Sequence, residues 1–173
     1  SIVYKDDTIR TNATPLVKPV PGDLDGKKSA TYFTGAKGEE KSLYSQSYAN
    51  GSVDKTTLFN YNAADELRST ETYKDSTERT GGVTKPAVSV LGVKKQIAIY
   101  KGVEGEEVID WSQEYTGSVK NSESVKTTTL YSYNPDDSLF SSIVYKDSTV
   151  RTNASPLVKP VPADLDAKKS ATY

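Results

Sequence analysis

The chain contains no cysteine, no methionine and no histidine. Without cysteine there are no disulfides, no thiolate chemistry and no cysteine-based zinc sites. Without histidine the commonest general base and metal ligand is missing. Phenylalanine occurs three times and tryptophan once, and apolar residues make up 35 % of the 173 residues, below the roughly 45–50 % typical of globular domains. No apolar run approaches the roughly 20 residues of a membrane-spanning helix. Net charge is −1, with 22 basic and 23 acidic residues, so no electrostatic pull toward nucleic acid or an anionic membrane is expected. The missing methionine is read as the mark of a window cut from a longer array or of a processed segment.

What the chain does have is repetition. Residues 1–32, from Ser1 to Tyr32, return 141 residues later as Ser142 to Tyr173. The copies differ only at Asp7/Ser148, Ile9/Val150, Thr14/Ser155, Gly22/Ala163 and Gly26/Ala167. A shorter period lies inside this one. Tyr4-Lys5-Asp6 recurs as Tyr73-Lys74-Asp75 and as Tyr145-Lys146-Asp147, and Arg10-Thr11, Arg79-Thr80 and Arg151-Thr152 follow in turn. The expected modules are 1–72 (version A), 73–141 (version B) and 142–173 (a further A, truncated).

Aligning A with B pairs Tyr44 with Trp111, Tyr48 with Tyr115, Phe59 with Tyr131 and Tyr61 with Tyr133. Version B is five residues longer between Tyr115 and Leu130, and that insertion, with Asn121, Ser122 and Ser124, reads as a longer turn. Twelve tyrosines among many Thr and Ser residues suit sheets with a face near water. Short alternating runs predict strands: Ile97 and Ile99 against Ala98 and Tyr100, and Leu139, Ser141, Ile143 and Tyr145 on one face. Breaks fall at Thr34-Gly35, Asn50-Gly51-Ser52, Gly102, Thr116-Gly117 and Asn134-Pro135-Asp136-Asp137, where Gly and Asn supply positive φ and Pro presets a turn. No window has a helical stripe, and only a single turn near Asp23–Lys28 is allowed for. The segment Pro15 to Pro21 carries three prolines and is expected to be an extended connector, because Pro cannot donate to a central ladder.

The candidate sites are structural. The aligned aromatics Tyr44, Tyr48, Phe59, Tyr61, Trp111, Tyr115, Tyr131 and Tyr133 could form a sugar platform, but a row repeated in every module is better read as a ladder, at roughly 0.2–1 kcal/mol per cross-strand pair. The paired carboxylates Glu39-Glu40 and Glu106-Glu107 follow Gly38 and Gly105. Neighbours on a strand point to opposite faces, so they cannot flank one glycosidic bond together and read as a glycine turn entering a strand. Asp23-Leu24-Asp25-Gly26 resembles the start of a calcium loop, but its copy, Asp164 to Ala167, loses the glycine. Asn12-Ala13-Thr14, Asn50-Gly51-Ser52 and Asn153-Ala154-Ser155 match the N-glycosylation pattern, consistent with an extracellular surface. No nucleophile elbow, phosphate loop or dinucleotide fingerprint is present. The chain is therefore expected not to be an enzyme, with no catalytic, cofactor or metal residues.

Tyr61-Asn62-Ala63-Ala64-Asp65-Glu66-Leu67 and Tyr133-Asn134-Pro135-Asp136-Asp137-Ser138-Leu139 each precede a further tyrosine, Tyr73 and Tyr145, by about six residues. This pattern resembles the tyrosine–aspartate (YD) repeats of the RHS family. Asn62 and Asn134 stand where those repeats have Asp, and Asp65 and Asp137 (or Asp136) stand near their Gly; their Arg is absent, although Arg68 follows Leu67 by one place. The resemblance implies hairpins laid side by side into one long spiralling sheet, used in that family as extracellular shells or surface structures.

The expected fold is all-β: tandem antiparallel hairpins forming a continuous superhelical sheet or hollow β-tube, with a string of small β-sandwiches as the alternative. The expected function is a structural segment of an extracellular or cell-surface filament, partnered by its own neighbouring modules or by identical chains. A glycan-binding adhesin array and the shell of an RHS-like toxin are the rival readings. Nucleic acid and a membrane span are not expected.

Overall fold

The structure, a computed structural model, describes residues 1–5, 20–21, 26–80, 84–151 and 158–173. Ten strands follow one another: β1 (Ile2–Tyr4), β2 (Lys27–Thr34), β3 (Lys41–Ala49), β4 (Ser52–Tyr61), β5 (Leu67–Lys74), β6 (Lys94–Lys101), β7 (Val108–Thr116), β8 (Ser124–Tyr133), β9 (Leu139–Lys146) and β10 (Lys168–Thr172). They form one antiparallel sheet in strict sequence order from β1 to β10. The chain is thus all-β in a single sheet rather than a set of separate sandwiches. The sheet is not closed into a barrel, since β1 and β10 are its edges among the described residues.

Two four-strand units stand out. Strands β2 to β5 are followed by a connector over residues 75–93, and β6 to β9 by one over residues 147–167. The sequence boundaries 72/73 and 141/142 fall inside β5 and β9. Tight turns join the strands within each unit, and positive φ falls at Asn50, Asp65, Asn121 and Asp137, as well as at Gly35, Gly51, Gly102 and Gly117. At Gly35 the need for glycine is steric as well as conformational. A Cβ there would lie 2.5 Å from the Glu39 carbonyl oxygen, and at Gly102 one would lie 2.7 Å from that of Glu106.

Helical structure in the described connectors is limited to single 3-10 turns such as Val88–Val90 and Pro162–Asp164. The single turn expected near Asp23–Lys28 is corrected at its C-terminal end: Lys27 and Lys28 open β2, and Lys27 pairs with Tyr4 of β1. Asp23 to Asp25, and Pro15 and Pro19 of the proline segment, lie outside the described residues, whereas Val20 and Pro21 are exposed.

The connectors cover one face of the sheet, and the core lies beneath them. Leu91 from the first connector packs with Tyr44, Leu58 and Tyr73. Leu165 from the second packs with Ile97, Ile99, Trp111, Tyr115, Val125, Leu130 and Tyr145. The opposite face carries polar pairs such as Thr57 and Thr72, whose hydroxyls lie 2.9 Å apart. This division accounts for the low apolar content, because one face of each strand is enough to fill the core.

Every adjacent strand pair carries a register irregularity near an end, for example at Tyr32/Phe33 and Ile99/Tyr100, or at Ser47/Tyr48 and Glu114/Tyr115. Such bulges bend a strand and increase its local twist. The registers also drift in step. Tyr44 pairs with Leu58, Leu58 with Glu71, Glu71 with Ile97 and Ile97 with Gln113. The aligned equivalent of Tyr44 is Trp111, so this row reaches β7 two residues further on after crossing one unit. The next row follows the same course, from Trp111 through Leu130 and Ile143 to Ala171 of β10.

Candidate structural site: a buried clamp in each unit

The signature Tyr-Lys-Asp lies where β5 and β9 hand over to their connectors. Tyr73 and Tyr145 are buried, Lys74 and Lys146 are exposed, and Asp75 and Asp147 are buried polar residues. In the first copy Tyr4 is half-buried and Lys5 exposed, and Asp6 lies outside the described residues. Alternation explains the order: Tyr and Asp, two apart, point into the covered face, and the lysine between them points to water.

Asp147 is the centre of a network. Its carboxylate accepts from Thr128 Oγ1 at 2.6 Å, from the Thr149 backbone N–H at 3.0 Å, from Arg151 Nε at 2.9 Å and from Gln113 Nε2 at 3.2 Å. Gln113 in turn donates to Thr128 Oγ1 at 3.0 Å and to the Thr149 carbonyl at 2.9 Å, while its Oε1 accepts from the Arg151 backbone N–H at 3.1 Å. The first unit repeats the arrangement. Asp75 accepts from Thr56 Oγ1 at 2.6 Å, from the Thr77 N–H at 3.1 Å and from the Arg79 guanidinium. Gln46 donates to Thr56 Oγ1 at 3.1 Å and to the Thr77 carbonyl at 2.9 Å, and accepts from the Arg79 N–H at 2.9 Å.

The clamp fastens the start of each connector to the middle of its unit. Gln46 and Gln113 are fully buried, and a buried amide is costly unless its donors and acceptor are satisfied. Each here is satisfied by a cross-strand threonine and by the connector backbone. Burial by itself would push the Asp75 and Asp147 carboxyls up. Hydrogen bonds from threonine, arginine and backbone N–H outweigh it and hold both below the usual carboxylate value.

The eight aromatics expected to form a ladder take different positions. Tyr44 and Trp111 are fully buried beneath the connectors, and Tyr115 is buried beside Trp111. Tyr48 is half-buried, with its hydroxyl 3.2 Å from Glu78 and the Lys27 ammonium 5.6 Å from its ring centre. Phe59, Tyr61, Tyr131 and Tyr133 are half-buried, and Tyr133 donates to the Ile109 carbonyl at 2.5 Å. Tyr44 stacks on Tyr32 with ring centres 4.6 Å apart, and the Tyr32 hydroxyl reaches the Arg79 carbonyl, so the stack ends on the clamp.

The Tyr44 hydroxyl and the Trp111 indole N–H are buried without a hydrogen-bond partner. An unsatisfied buried hydroxyl costs about 1–3 kcal/mol. Tyr44→Phe is therefore expected to raise the unfolding free energy by about 1 kcal/mol, read from the urea midpoint. A drop in stability would mean that the hydroxyl has a partner in solution.

The other sequence-flagged groups serve turns. Glu40 accepts from the Gly38 N–H at 2.9 Å and Glu107 from the Gly105 N–H at 2.9 Å. Glu107 also accepts from the Leu67 N–H at 2.8 Å, across to the neighbouring hairpin. Asp136 accepts from Ser138, and Asp164 from the Val161 N–H at 3.3 Å. Asn50 sits in a two-residue turn, while Asn12 and Asn153 lie outside the described residues.

Sequence reasoning assigned no role to Gln46, Gln113, Thr56 or Thr128. The available signal was their identical placement in the aligned Ser-Gln and Thr-Thr-Leu stretches of both units. It also gave the longer turn of the second unit no partner. In the structure Lys120, at that turn, donates to the Val88, Ser89 and Leu91 carbonyls of the first connector at 2.6–2.8 Å. Glu123 accepts from the Lys94 N–H at 2.8 Å. Lys120 thus grips the preceding unit, while Glu123 ties the turn to β6 of its own unit.

Comparison with family models, curated proteins and solved structures finds no match to this chain.

Proposed function

We propose that the chain is a structural segment of an extracellular or cell-surface β-rich filament, its units adding to one growing, superhelically coiled sheet. The observation that carries this reading is the junction between units. Strands β5 and β6 pair from Ser69↔Ile99 to Tyr73↔Lys94, as continuously as strands within a unit. Lys120 then ties the second unit to the first connector. A unit's open edge is thereby paired by the next unit, which removes a template for wrong association, and stability becomes a sum over neighbours. The regular row drift and the bulges would give equal rotations at equal junctions, hence a coiled sheet. The resemblance to YD repeats points the same way. Trp111, the ring best suited to stack on a sugar, is fully buried and lends nothing to an adhesin reading.

Electron microscopy of the native full-length material tests the proposal. Long uniform fibres with an axial repeat of one or two units are expected, and globular particles or flexible beads would remove it. In solution, a chain of one unit should be poorly folded and each added unit should raise the urea midpoint. A single unit that unfolds cooperatively with high stability would rule out the continuous-sheet mechanism.

A further inference from the structure

Each connector carries a lysine just before a proline, Lys85 before Pro86 and Lys159 before Pro160, and each lysine turns back onto the sheet. Lys85 Nζ bonds to the Phe59 carbonyl and Lys159 Nζ to the equivalent Tyr131 carbonyl. Their second partners differ. Lys159 meets Asp110 at 2.9 Å, a carboxylate that also lies 3.6 Å from Lys101. Lys85 instead meets the side-chain amide oxygen of Asn60 at 2.9 Å. Asn60 Nδ2 points to Ser69 Oγ at 3.1 Å and to Glu71 Oε1 at 3.3 Å.

An amine, a carboxamide and a carboxylate are therefore set in line at the partly buried base of the first connector. We propose that Lys85 and Asn60 condense to an intramolecular isopeptide bond, with Glu71 shuttling the proton. This inference does not depend on the filament reading. The free amine of Lys85 attacks Cγ of Asn60, forming the Nζ–Cγ bond as the C=O electron pair moves onto Oδ1. Glu71 takes a proton from Nζ and gives it to Nδ2. The electron pair returns, the Cγ–Nδ2 bond breaks, and ammonia leaves. Atoms and charge balance without oxidant, metal or cofactor.

Three observations support the step. The 2.9 Å hydrogen bond places Nζ against the carboxamide, one short movement from the roughly 3–3.5 Å of a near-attack arrangement. Burial pushes the Lys85 ammonium down, against the opposing charge of Glu71, and so favours the nucleophilic free amine. Glu71 touches the nitrogen that must leave, as a proton donor for the departing ammonia requires. Lys94, at 2.9 Å, and the Tyr73 hydroxyl also hold Glu71 and keep its carboxyl below the usual value, in spite of burial. The reaction is accordingly a slow, single maturation event.

The second unit supplies a built-in contrast. Ser132 stands where the first has Asn60, and Ile143 where it has Glu71. The bond is thus specific to the first unit, closing a covalent loop from β4 to the connector.

Intact mass spectrometry of the folded, aged chain is the test. The expected mass is about 17 Da below that calculated from the sequence, the loss of one ammonia. Tryptic digestion should yield one species joining residues 56–68 to residues 80–94. Lys85→Arg and Asn60→Ser should each restore the full mass, and Glu71→Gln should slow the loss at least tenfold. Full calculated mass in the wild-type chain after prolonged incubation would overturn the proposal. A 17 Da loss with Asn60 unlinked to Lys85 would also overturn it, since asparagine can lose ammonia by cyclising on its own backbone. Because the wild-type mass is the first readout, a variant that fails to fold leaves the test intact.

Discussion

Replacing Asp147 with alanine should destabilise the chain by about 3 kcal/mol, the low end of what breaking a buried ion pair costs when one partner is removed. The side chain is 1 % exposed and receives hydrogen bonds from Thr128, Thr149, Arg151 and Gln113. Truncation leaves those donors turned toward an empty space, and Arg151, at 17 % side-chain exposure, recovers only part of its hydration. The low end applies because Arg151 reaches solvent at its rim. A urea series checks the figure. A change below about 0.5 kcal/mol, the range of an ordinary surface substitution, would mean that the clamp does not fasten the connector.

The same network sets a pH dependence. Asp75 and Asp147 have folded-state pKa values below those of the unfolded chain. Their contribution is therefore complete above the unfolded value of about 3.9 and is lost as pH falls through the lower folded values. The chain should lose stability below about pH 4, and Asp147→Asn should flatten that acid limb while lowering stability at neutral pH.

The second large effect is expected at Trp111. Trp111→Ala removes the largest fully buried side chain of the core around Ile97, Ile99, Leu130 and Leu165, at a cost of about 3–5 kcal/mol by transfer and cavity terms together. Trp111→Tyr installs the residue that occupies the same place in the first unit as Tyr44. It should cost only about 1–2 kcal/mol, because most of the volume is kept. Far-ultraviolet circular dichroism in urea measures both, since the variants lose the chain's one tryptophan. Equal losses for Ala and Tyr would mean that the indole acts through something other than volume. The two predicted sites lie in one unit, so losses at Asp147 and Trp111 need not add.

The all-β class was legible in the alternation of Ile97 and Ile99 and in the absence of any helical stripe. The turns were legible because Asn50-Gly51 and Gly102 supply the positive φ that they require. That the strands share one sheet was expected from the tandem hairpins, but the pairing that joins the units was not legible, because β5 and β6 find each other across a connector of 19 residues, 75–93, and local pattern does not reach that far. The clamp was half legible. Tyr-Lys-Asp and the following arginine announced themselves by recurrence, but Asp75 bonds Thr56, 19 residues earlier. Gln46 is fully buried and bonds the Thr77 carbonyl 31 residues later, a distance over which the sequence carries no local signal. The aromatic alignment marked equivalent positions, yet equivalence along a chain does not say which side of a sheet a ring occupies. Tyr44 lies under a connector while Phe59, one place beyond its partner Leu58 on β4, is only half-buried.

The two-residue drift of the rows has a geometric consequence for anything that recognises this surface. Two residues along a strand amount to about 7 Å, and four strands across to about 19 Å. Corresponding atoms of successive units are thus related by a diagonal of about 20 Å, inclined by about 20° to the line perpendicular to the strands. Gly35 and Gly102, or Lys74 and Lys146, lie like marks on the thread of a screw rather than on the rungs of a straight rail. A bivalent partner that grips two units at once must carry that slant, and one built with its contacts square to the strands would reach only one of them.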